Sequence, residues 1–209
     1  MKNSHVKGEK LASIDIGTNT VRLLIGTFTD DGILERVQGE NRITRLGEGF
    51  IHTGRLLEVP MARTVEVLKD YVEKAEMKGV TAVIAVATSV AREASNRKVF
   101  QERVQKEVGI ALNIINGEEE GRLTALGVSH LFGDMEKVIL DIGGGSTEIV
   151  IVRHDGREGI SFPLGAVHLK DRFINSDPPR KEELQELFGH IESVFTHFLC
   201  VKNKRDDFF

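Results

Sequence analysis

The residues best suited to chemistry stand in one stretch, VILDIGGGSTEIVIV, which runs from Val138 to Val152. An apolar run ends on Asp141, three glycines and Ser146 follow, and Glu148 stands near the start of a second apolar run. Glycines let a ligand approach the backbone closely, and successive exposed N–H groups in a turn can bind an anion. Two carboxylates at strand ends offer the hard oxygen ligands that a divalent cation prefers. The stretch predicts a site for a phosphate with its metal; the alternative is a glycine-rich hairpin turn, although the usual two-residue turns do not need three glycines.

The same arrangement occurs earlier in the chain. LASIDIGTNTVRLLIG, residues 11–26, has an apolar strand that reaches Asp15, a short loop containing Thr18 and Asn19, and a second apolar strand. Asp15 and Asp141 occupy the same place in the two copies. Two copies of one loop predict two similar lobes that each offer a loop to one ligand, because pockets commonly lie between domains.

The elements that position the first loop follow from periodicity and turn signals, and they predict an α/β lobe in the order βββαβαβα. The run Val80–Ala87 is apolar throughout, and we expect a strand buried on both faces. The predicted strands are Leu11–Ile16, Val21–Phe28, Ile33–Arg45, Val80–Ala87 and Ile110–Ile115, and the predicted helices are Pro60–Lys78, Ser95–Val108 and Gly117–Leu131.

The second half begins the same pattern again but ends sooner. We expect a first lobe over residues 1–132 and a second over residues 133–209 that is truncated, lacking at least two strands and their helices. The long helix after Pro178 then carries an apolar stripe with too little protein to cover it. Exposed stripes of this size usually find a partner, so we expect a homo-oligomer, a dimer. The predicted elements are the strands Val138–Ile142, Thr147–Arg153 and Gly159–Phe162, a helix over Val167–Phe173, and the long helix.

Composition narrows the classes of protein. The chain of 209 residues is 40% hydrophobic and 29% charged, which is ordinary for a soluble globular protein. Its net charge of −4 is not the basic footprint of a DNA-binding protein, so we expect no DNA partner. The longest apolar run is too short to span a membrane, and a single cysteine cannot form an internal disulfide. A cytoplasmic protein without a membrane partner is the simplest interpretation.

Three consecutive acids, Glu118 to Glu120, stand at the start of the helix between the two loops. Water is a poor nucleophile, and a glutamate near a metal could serve as its base. Acids at a helix N-terminus are also favoured by the helix dipole without any catalytic part. The residues alone leave both interpretations open.

Six segments together resemble the exopolyphosphatase / guanosine pentaphosphate phosphohydrolase (Ppx/GppA) family, of the superfamily of acetate and sugar kinases, heat-shock chaperones and actin. DIGGGST alone would fit the wider superfamily, whereas its combination with GEEEGRL and ATSVAREA is much more specific. The resemblance implies ribonuclease H-like, actin-like ATPase lobes with mixed sheets. The matching segments are IDIGTNTVRLLI (14–25), RLGEG (45–49), VATSVAREASN (86–96), INGEEEGRLTALGV (115–128), LDIGGGSTEIV (140–150) and FPLGAVHLKDRF (162–173).

The resemblance implies removal of a terminal phosphate from polyphosphate or guanosine pentaphosphate, with Mg²⁺ or another divalent cation. By position, Glu120 resembles the catalytic glutamate that aligns or deprotonates the attacking water. Asp141 and Glu148 resemble the metal-binding carboxylates. The phosphate-binding residues implied in the same way are Asp15, Thr18, Asn19, Arg92, Gly143, Gly144, Gly145 and Ser146.

Two other classes of protein remain open. An ATP-binding member of the wider superfamily, such as a kinase, a chaperone-like ATPase or a filament former, fits the two loops equally well. GEEEGRL favours the phosphohydrolase, because a kinase would usually place a different catalytic acid there. The second alternative is a non-catalytic protein that senses phosphorylated alarmones through the same cleft.

Overall fold

The fold is known from a computed structural model that describes residues 9–29, 34–133 and 135–206, with side chains to residue 198. The first sheet has the strand order β3-β2-β1-β4-β5. β1 pairs antiparallel with β2, and β2 with β3, while β4 lies parallel to both β1 and β5, so the sheet is mixed. Its strands are β1 (Lys10–Ile16), β2 (Thr20–Phe28), β3 (Leu34–Ile43), β4 (Ala82–Ala87) and β5 (Leu112–Ile114).

Helices cover one face of this sheet. They are α1 (Phe50–Thr53), α2 (Glu58–Met77), α3 (Ser89–Glu93) and α4 (Arg97–Val108). Val65 and Leu68 of α2 and Phe100 of α4 are fully buried in one apolar core with the inward residues of β1, β2 and β4. The sequence pattern did not predict α1 and α3, because a single turn of helix is too short to show a 3.6-residue period.

The expectation that β4 is buried on both faces is wrong. Ala85 and Ala87 are buried, whereas Ile84 on the opposite face is 54% exposed. Ile84 and Val86 line an open cleft on that face instead of a second helical layer. An apolar run predicts burial on both faces only where elements cover both, and the local sequence does not report that cover.

The second sheet is smaller and antiparallel, with the order β6-β7-β8. Helix α5 packs on one of its faces, where Ala125 joins Ile139 and Val150 in a small core. The helix that ends the predicted first lobe thus packs on the second sheet, and the lobe boundary after residue 132 stays a prediction. The elements are α5 (Gly117–Phe132), β6 (Lys137–Ile142), β7 (Thr147–Arg153), β8 (Gly156–Phe162), α6 (Ala166–Phe173) and α7 (Lys181–Asp206).

Equivalent positions in the two copies of the repeat differ sharply in burial. Residues on one face of β1 are covered, whereas their counterparts on β6 are exposed, and within the described residues β6 pairs only with β7. The exposed fractions are 1% for Ala12 and 70% for Val138, 0% for Ile14 and 59% for Leu140, and 0% for Ile16 and 63% for Ile142. The same pattern of apolar residues is therefore buried in the first copy and exposed in the second.

Helix α7 covers only part of the same face. Phe195 and Phe198 pack on Phe162 of β8, with ring centroids 4.9 and 5.2 Å apart, whereas Phe188 stays exposed. The expected dimer stays a prediction. None of the helices in the described part of the chain combines the length and the apolar character needed to cross a bilayer.

Candidate active site

The same hydrogen bond closes each of the two loops. The Gly17 N–H donates to the Thr20 carbonyl oxygen at 3.0 Å, and the Gly143 N–H donates to the Ser146 carbonyl oxygen at 2.9 Å. In both copies the loop joins two antiparallel strands, β1 to β2 and β6 to β7. The repeat in the sequence is thus also a repeat in backbone structure.

The two loops touch each other at Thr18 and the triple glycine. A Cβ atom on Gly144 would lie 3.1 Å from Thr18 Cβ, and one on Gly145 would lie 2.6 Å from Thr18 Oγ1 and 2.2 Å from Ser89 Oγ. Any side chain there would push the loops apart, so this contact requires glycine. Thr18 is buried, and its hydroxyl oxygen has no hydrogen-bond partner among the described residues. Unpartnered buried polar atoms are rare in folded proteins, which marks Thr18 as a candidate ligand contact.

The RLGEG segment supports the first loop by backbone hydrogen bonds. The Gly47 N–H donates to the Thr18 carbonyl oxygen at 2.8 Å, and the Arg45 N–H donates to the Asn19 carbonyl oxygen at 2.9 Å. Arg45 has a φ of 49°, in the left-handed region, which a non-glycine residue adopts only at a cost of roughly 1–3 kcal/mol. This segment therefore serves to hold the loop in place.

The start of α6 supports the second loop in the same way. The Ala166 N–H donates to the Gly143 carbonyl oxygen and the Val167 N–H to the Gly144 carbonyl oxygen, each at 2.9 Å. These loop carbonyls satisfy N–H groups of the first turn of α6, which have no partner within the helix. Gly165 allows the close approach, because a Cβ atom there would lie 2.3 Å from the backbone of Gly144.

The register of the second sheet places three polar residues in one row. Asp141 of β6 lies directly opposite Glu148 of β7, which lies directly opposite Ser161 of β8. Ser161 Oγ donates a hydrogen bond of 2.6 Å to Glu148 Oε1, and the Glu148 side chain is almost completely buried. A carboxylate at the sheet interior is thus held by its cross-strand neighbour.

The first two turns of α5 lie over this row. Positions 117, 120 and 124 recur every three or four residues, so they share one face of the helix. The pairs that face each other are Gly117 and Ser161, Glu120 and Glu148, and Thr124 and Asp141. A Cβ on Gly117 would lie 2.5 Å from Ser161 Cβ, the charge of Glu148 acts on Glu120, and Thr124 Oγ1 donates to Asp141 Oδ2 at 3.2 Å.

An ion pair with Arg92 holds the side chain of Glu120 in the first turn of α5. Arg92 Nη1 donates to Glu120 Oε2 at 3.0 Å and to the Ile115 carbonyl oxygen at 3.1 Å. The Glu120 side chain is only 16% exposed, and this burial raises its pKa to about 7; the charge of Glu148 acts in the same direction, and Arg92 opposes both. A carboxylate with a pKa near the working pH is suited to accept a proton from water.

The charges on the cleft differ between the two copies of the repeat. In the first copy the cross-strand neighbour of Asp15 is Arg22, and the two form an ion pair of 2.9 Å. In the second copy the cross-strand neighbour of Asp141 is Glu148, also an acid. Like charges directly opposite each other on a sheet are destabilising. A cation bound between them would remove this repulsion.

The second copy fits a divalent metal ion. Among the described residues no three His, Cys, Asp or Glu side chains gather into a complete ligand set. Mg²⁺ is usually held by one or two carboxylates and completes its shell with water and substrate phosphates. Asp141 and Glu148 would supply these two carboxylates, and a bound cation would reduce the repulsion between an anionic ligand and the acids of the cleft.

A cleft of about 510 Å³ brings nearly all of the predicted site residues together. Arg92 is the exception, since it lines a neighbouring cavity of about 250 Å³ and contacts Glu120 instead of the cleft; its phosphate-binding role stays a prediction. Sequence reasoning missed Thr124 and Ser161. Counting the register back from the turn at 154–155 would have placed Ser161 opposite Glu148. The predicted residues on the cleft are Asp15, Thr18, Asn19, Glu120, Asp141, Gly143, Gly144, Gly145, Ser146 and Glu148.

The fold and the cleft define an α/β protein with two repeated loops that line one cleft, and comparison with known proteins is consistent with this class. The model of the Ppx/GppA phosphatase family matches residues 24–200, so the chain belongs to the Ppx/GppA family. Exopolyphosphatase 2 of Mycobacterium tuberculosis is 40% identical over 185 residues, which are 84% of this chain and 58% of that protein. Exopolyphosphatase 1 of Mycobacterium leprae is 32% identical over 88% of this chain and 55% of that protein.

Solved structures agree on the fold. A crystal structure of an exopolyphosphatase from Cytophaga hutchinsonii is similar with a TM-score of 0.85 and 32% identity, over 94% of this chain and 64% of that one. The Aquifex aeolicus member of the Ppx/GppA family is similar with a TM-score of 0.71 and 41% identity, over 88% of this chain and 61% of that one. The expected actin-like α/β fold is confirmed. The chain spans less than two thirds of the length of these relatives.

Proposed function

We propose that this chain removes the terminal phosphate of inorganic polyphosphate or guanosine pentaphosphate, with Mg²⁺ as its cofactor. The main support for the proposal is the buried carboxylate of Glu120, whose pKa is raised to about 7. This carboxylate lies on the cleft between the two loops that we propose bind phosphate. Membership of the Ppx/GppA phosphatase family supports the same chemistry. The similar proteins named as exopolyphosphatases favour polyphosphate.

The two loops bind the phosphate groups. Phosphoryl transfer needs positioning and neutralisation of charge on the phosphoryl oxygens more than covalent chemistry. Backbone N–H groups of residues 144–146 and the unpartnered hydroxyl of Thr18 supply donors for those oxygens. Asp141 and Glu148 would hold Mg²⁺, which would neutralise negative charge on the substrate.

Glu120 acts on the attacking water. Its ionised carboxylate accepts a proton as the water oxygen forms a bond to the terminal phosphorus, and the bridging P–O bond of the anhydride breaks. The products are orthophosphate and the substrate shortened by one phosphate. Arg92 keeps the Glu120 carboxylate in place through the 3.0 Å contact and stabilises its ionised form.

Release of orthophosphate tests the proposal. The purified chain is incubated with long-chain polyphosphate, guanosine pentaphosphate or ATP, each with and without Mg²⁺. We expect Mg²⁺-dependent release from polyphosphate or guanosine pentaphosphate, and loss of release but not of substrate binding in Glu120→Gln. Glu118→Gln is the matched control, because Glu118 lies in the same helical turn but is exposed and outside the cleft.

Three outcomes contradict the proposal. Release from ATP alone would indicate an ATPase of the wider superfamily. Saturable binding of guanosine pentaphosphate or polyphosphate without any release would indicate a sensor. Unchanged turnover in Glu120→Gln would remove Glu120 from the role of base.

A further inference from the structure

We propose that Ser161 is a positioning residue whose hydroxyl orients the Glu148 carboxylate for a divalent cation. The inference rests on the metal-binding role proposed for Glu148. Ser161 itself lies outside the lining of the large cleft, so it is not placed to touch the substrate.

The hydrogen bond from Ser161 accounts for the position of Glu148. Its length of 2.6 Å is typical of a hydroxyl donating to an ionised carboxylate, which is among the stronger hydrogen bonds in proteins. Among the hydrogen bonds of the described residues, Ser161 is the only donor to Glu148. With Oε1 held in this way, Oε2 is the oxygen that remains for a cation in the cleft.

Ser161 also contacts the start of α5. Because a Cβ on Gly117 would lie only 2.5 Å from Ser161 Cβ, the helix start packs directly on this residue. Glu120 follows one turn later on the same helix, and the charge of Glu148 already acts on it. Ser161 therefore holds one carboxylate by its hydroxyl and packs on the helix that carries the other.

A purely structural role for Ser161 would also explain a hydroxyl beside a buried carboxylate. The affinity for metal distinguishes this role from the proposed orienting role. If Ser161 only satisfies Glu148, its loss changes stability and leaves the affinity for metal unchanged. If it orients Glu148, its loss weakens metal binding, because groups that orient metal ligands typically contribute about 10- to 100-fold to affinity.

The experiment measures binding of Mg²⁺ alone to the whole chain by isothermal titration calorimetry, without substrate. We expect Ser161→Ala to weaken binding by roughly 10- to 100-fold. Ser161→Thr keeps the hydroxyl, so we expect it to retain more of the affinity for Mg²⁺ than Ser161→Ala does. Ser95→Ala is the control, since it removes a hydroxyl that donates to the Gly54 carbonyl oxygen, away from the cleft.

Equal Mg²⁺ affinity in Ser161→Ala and the parent chain would overturn the inference. Equal loss in the alanine and threonine variants would overturn it too, because the hydroxyl would then not be responsible, and so would the absence of saturable Mg²⁺ binding by the parent chain. Ser161→Cys, a weak donor of similar size, replaces the alanine variant if thermal melting shows that the latter is unfolded. Intact Mg²⁺ binding without hydrolysis would contradict the proposed function and leave this inference in force.

Discussion

Replacing Glu120 with glutamine should make the folded chain more stable at alkaline pH while removing the proposed base. In the folded chain burial raises the pKa of this carboxyl to about 7, from an ordinary value of 4.5. Between these two pH values the folded chain holds a proton that the unfolded chain has released. Stability therefore falls as pH rises through this window, and it is lowest once the buried group is ionised.

The pKa values set the size of the effect. The difference between 4.5 and about 7, at about 1.4 kcal/mol for each pKa unit, corresponds to roughly 3 kcal/mol of unfolding free energy. Arg92 already offsets part of the cost of ionisation, and its contribution is contained in the pKa of about 7. Glutamine has the same shape and does not ionise. We therefore expect Glu120→Gln to match the parent near pH 4.5 and to exceed its unfolding free energy by about 3 kcal/mol at pH 8.5.

Urea denaturation at several pH values between 4.5 and 8.5 measures this difference. The quantity that matters is the difference in unfolding free energy between the parent and Glu120→Gln at each pH, since it removes the titration of all other groups. Glu118→Gln serves as the control, because Glu118 is exposed. A difference that does not change with pH would refute the assignment of a raised pKa to Glu120.

The rate of hydrolysis should follow the same titration. Only the ionised carboxylate can accept a proton, so turnover by the parent chain should rise with pH and level off above about pH 7. A turnover that falls as pH rises through 7 would contradict Glu120 as the base, even if the stability measurement agrees with its pKa.

Four further predictions concern the metal, the ion pair, the loop contact and the assembly. Asp141→Asn should raise the Mg²⁺ concentration needed for half-maximal phosphate release by about tenfold or more, and an unaltered metal titration would reject Asp141 as a ligand. Arg92→Met removes the contact that lowers the pKa of Glu120, so the pH at which turnover reaches half its maximum should move upward; an unmoved profile would contradict this. Gly165→Ala should cost about 1–3 kcal/mol in urea denaturation because its Cβ would lie 2.3 Å from the Gly144 backbone. Gly127→Ala, in open space on α5, should be neutral or stabilising by about 1 kcal/mol, and equal losses in both would contradict the loop contact. The expected dimer should appear in sedimentation velocity, and a single monomeric species at all concentrations would exclude it.

The two loops and the strands on either side of them could be predicted because they depend on local patterns. A strand ending in Asp-Ile-Gly, a short polar loop and a second apolar strand produce the same backbone hydrogen bond at Gly17 and at Gly143. The long amphipathic helices follow from the 3.6-residue period of their apolar side chains. The helical turns at 50–53 and 89–93 could not be predicted in this way, because they are shorter than the pattern that would reveal them.

The candidate site depended on pairings that no single segment determines. The sequence identified Asp141, Glu148 and Glu120 as acids of interest, whereas the place of Ser161 opposite Glu148 follows from the register of the hairpin and not from residue type. Only the packing of α5 on the second sheet brought Glu120 near Glu148. Only the fold brings the guanidinium group of Arg92 to Glu120, and its phosphate-binding role stays a prediction.

The two repeated loops and the acids of the candidate site could be predicted from residue type and short spacing, and the motifs also carried the resemblance to the family. The tertiary structure decided which of these groups meet and which apolar faces are covered. Ile14 and Leu140 occupy equivalent positions in the repeat, yet one is fully buried and the other is 59% exposed. Burial depends on neighbours distant in sequence, and burial is also what raises the pKa of Glu120 to about 7.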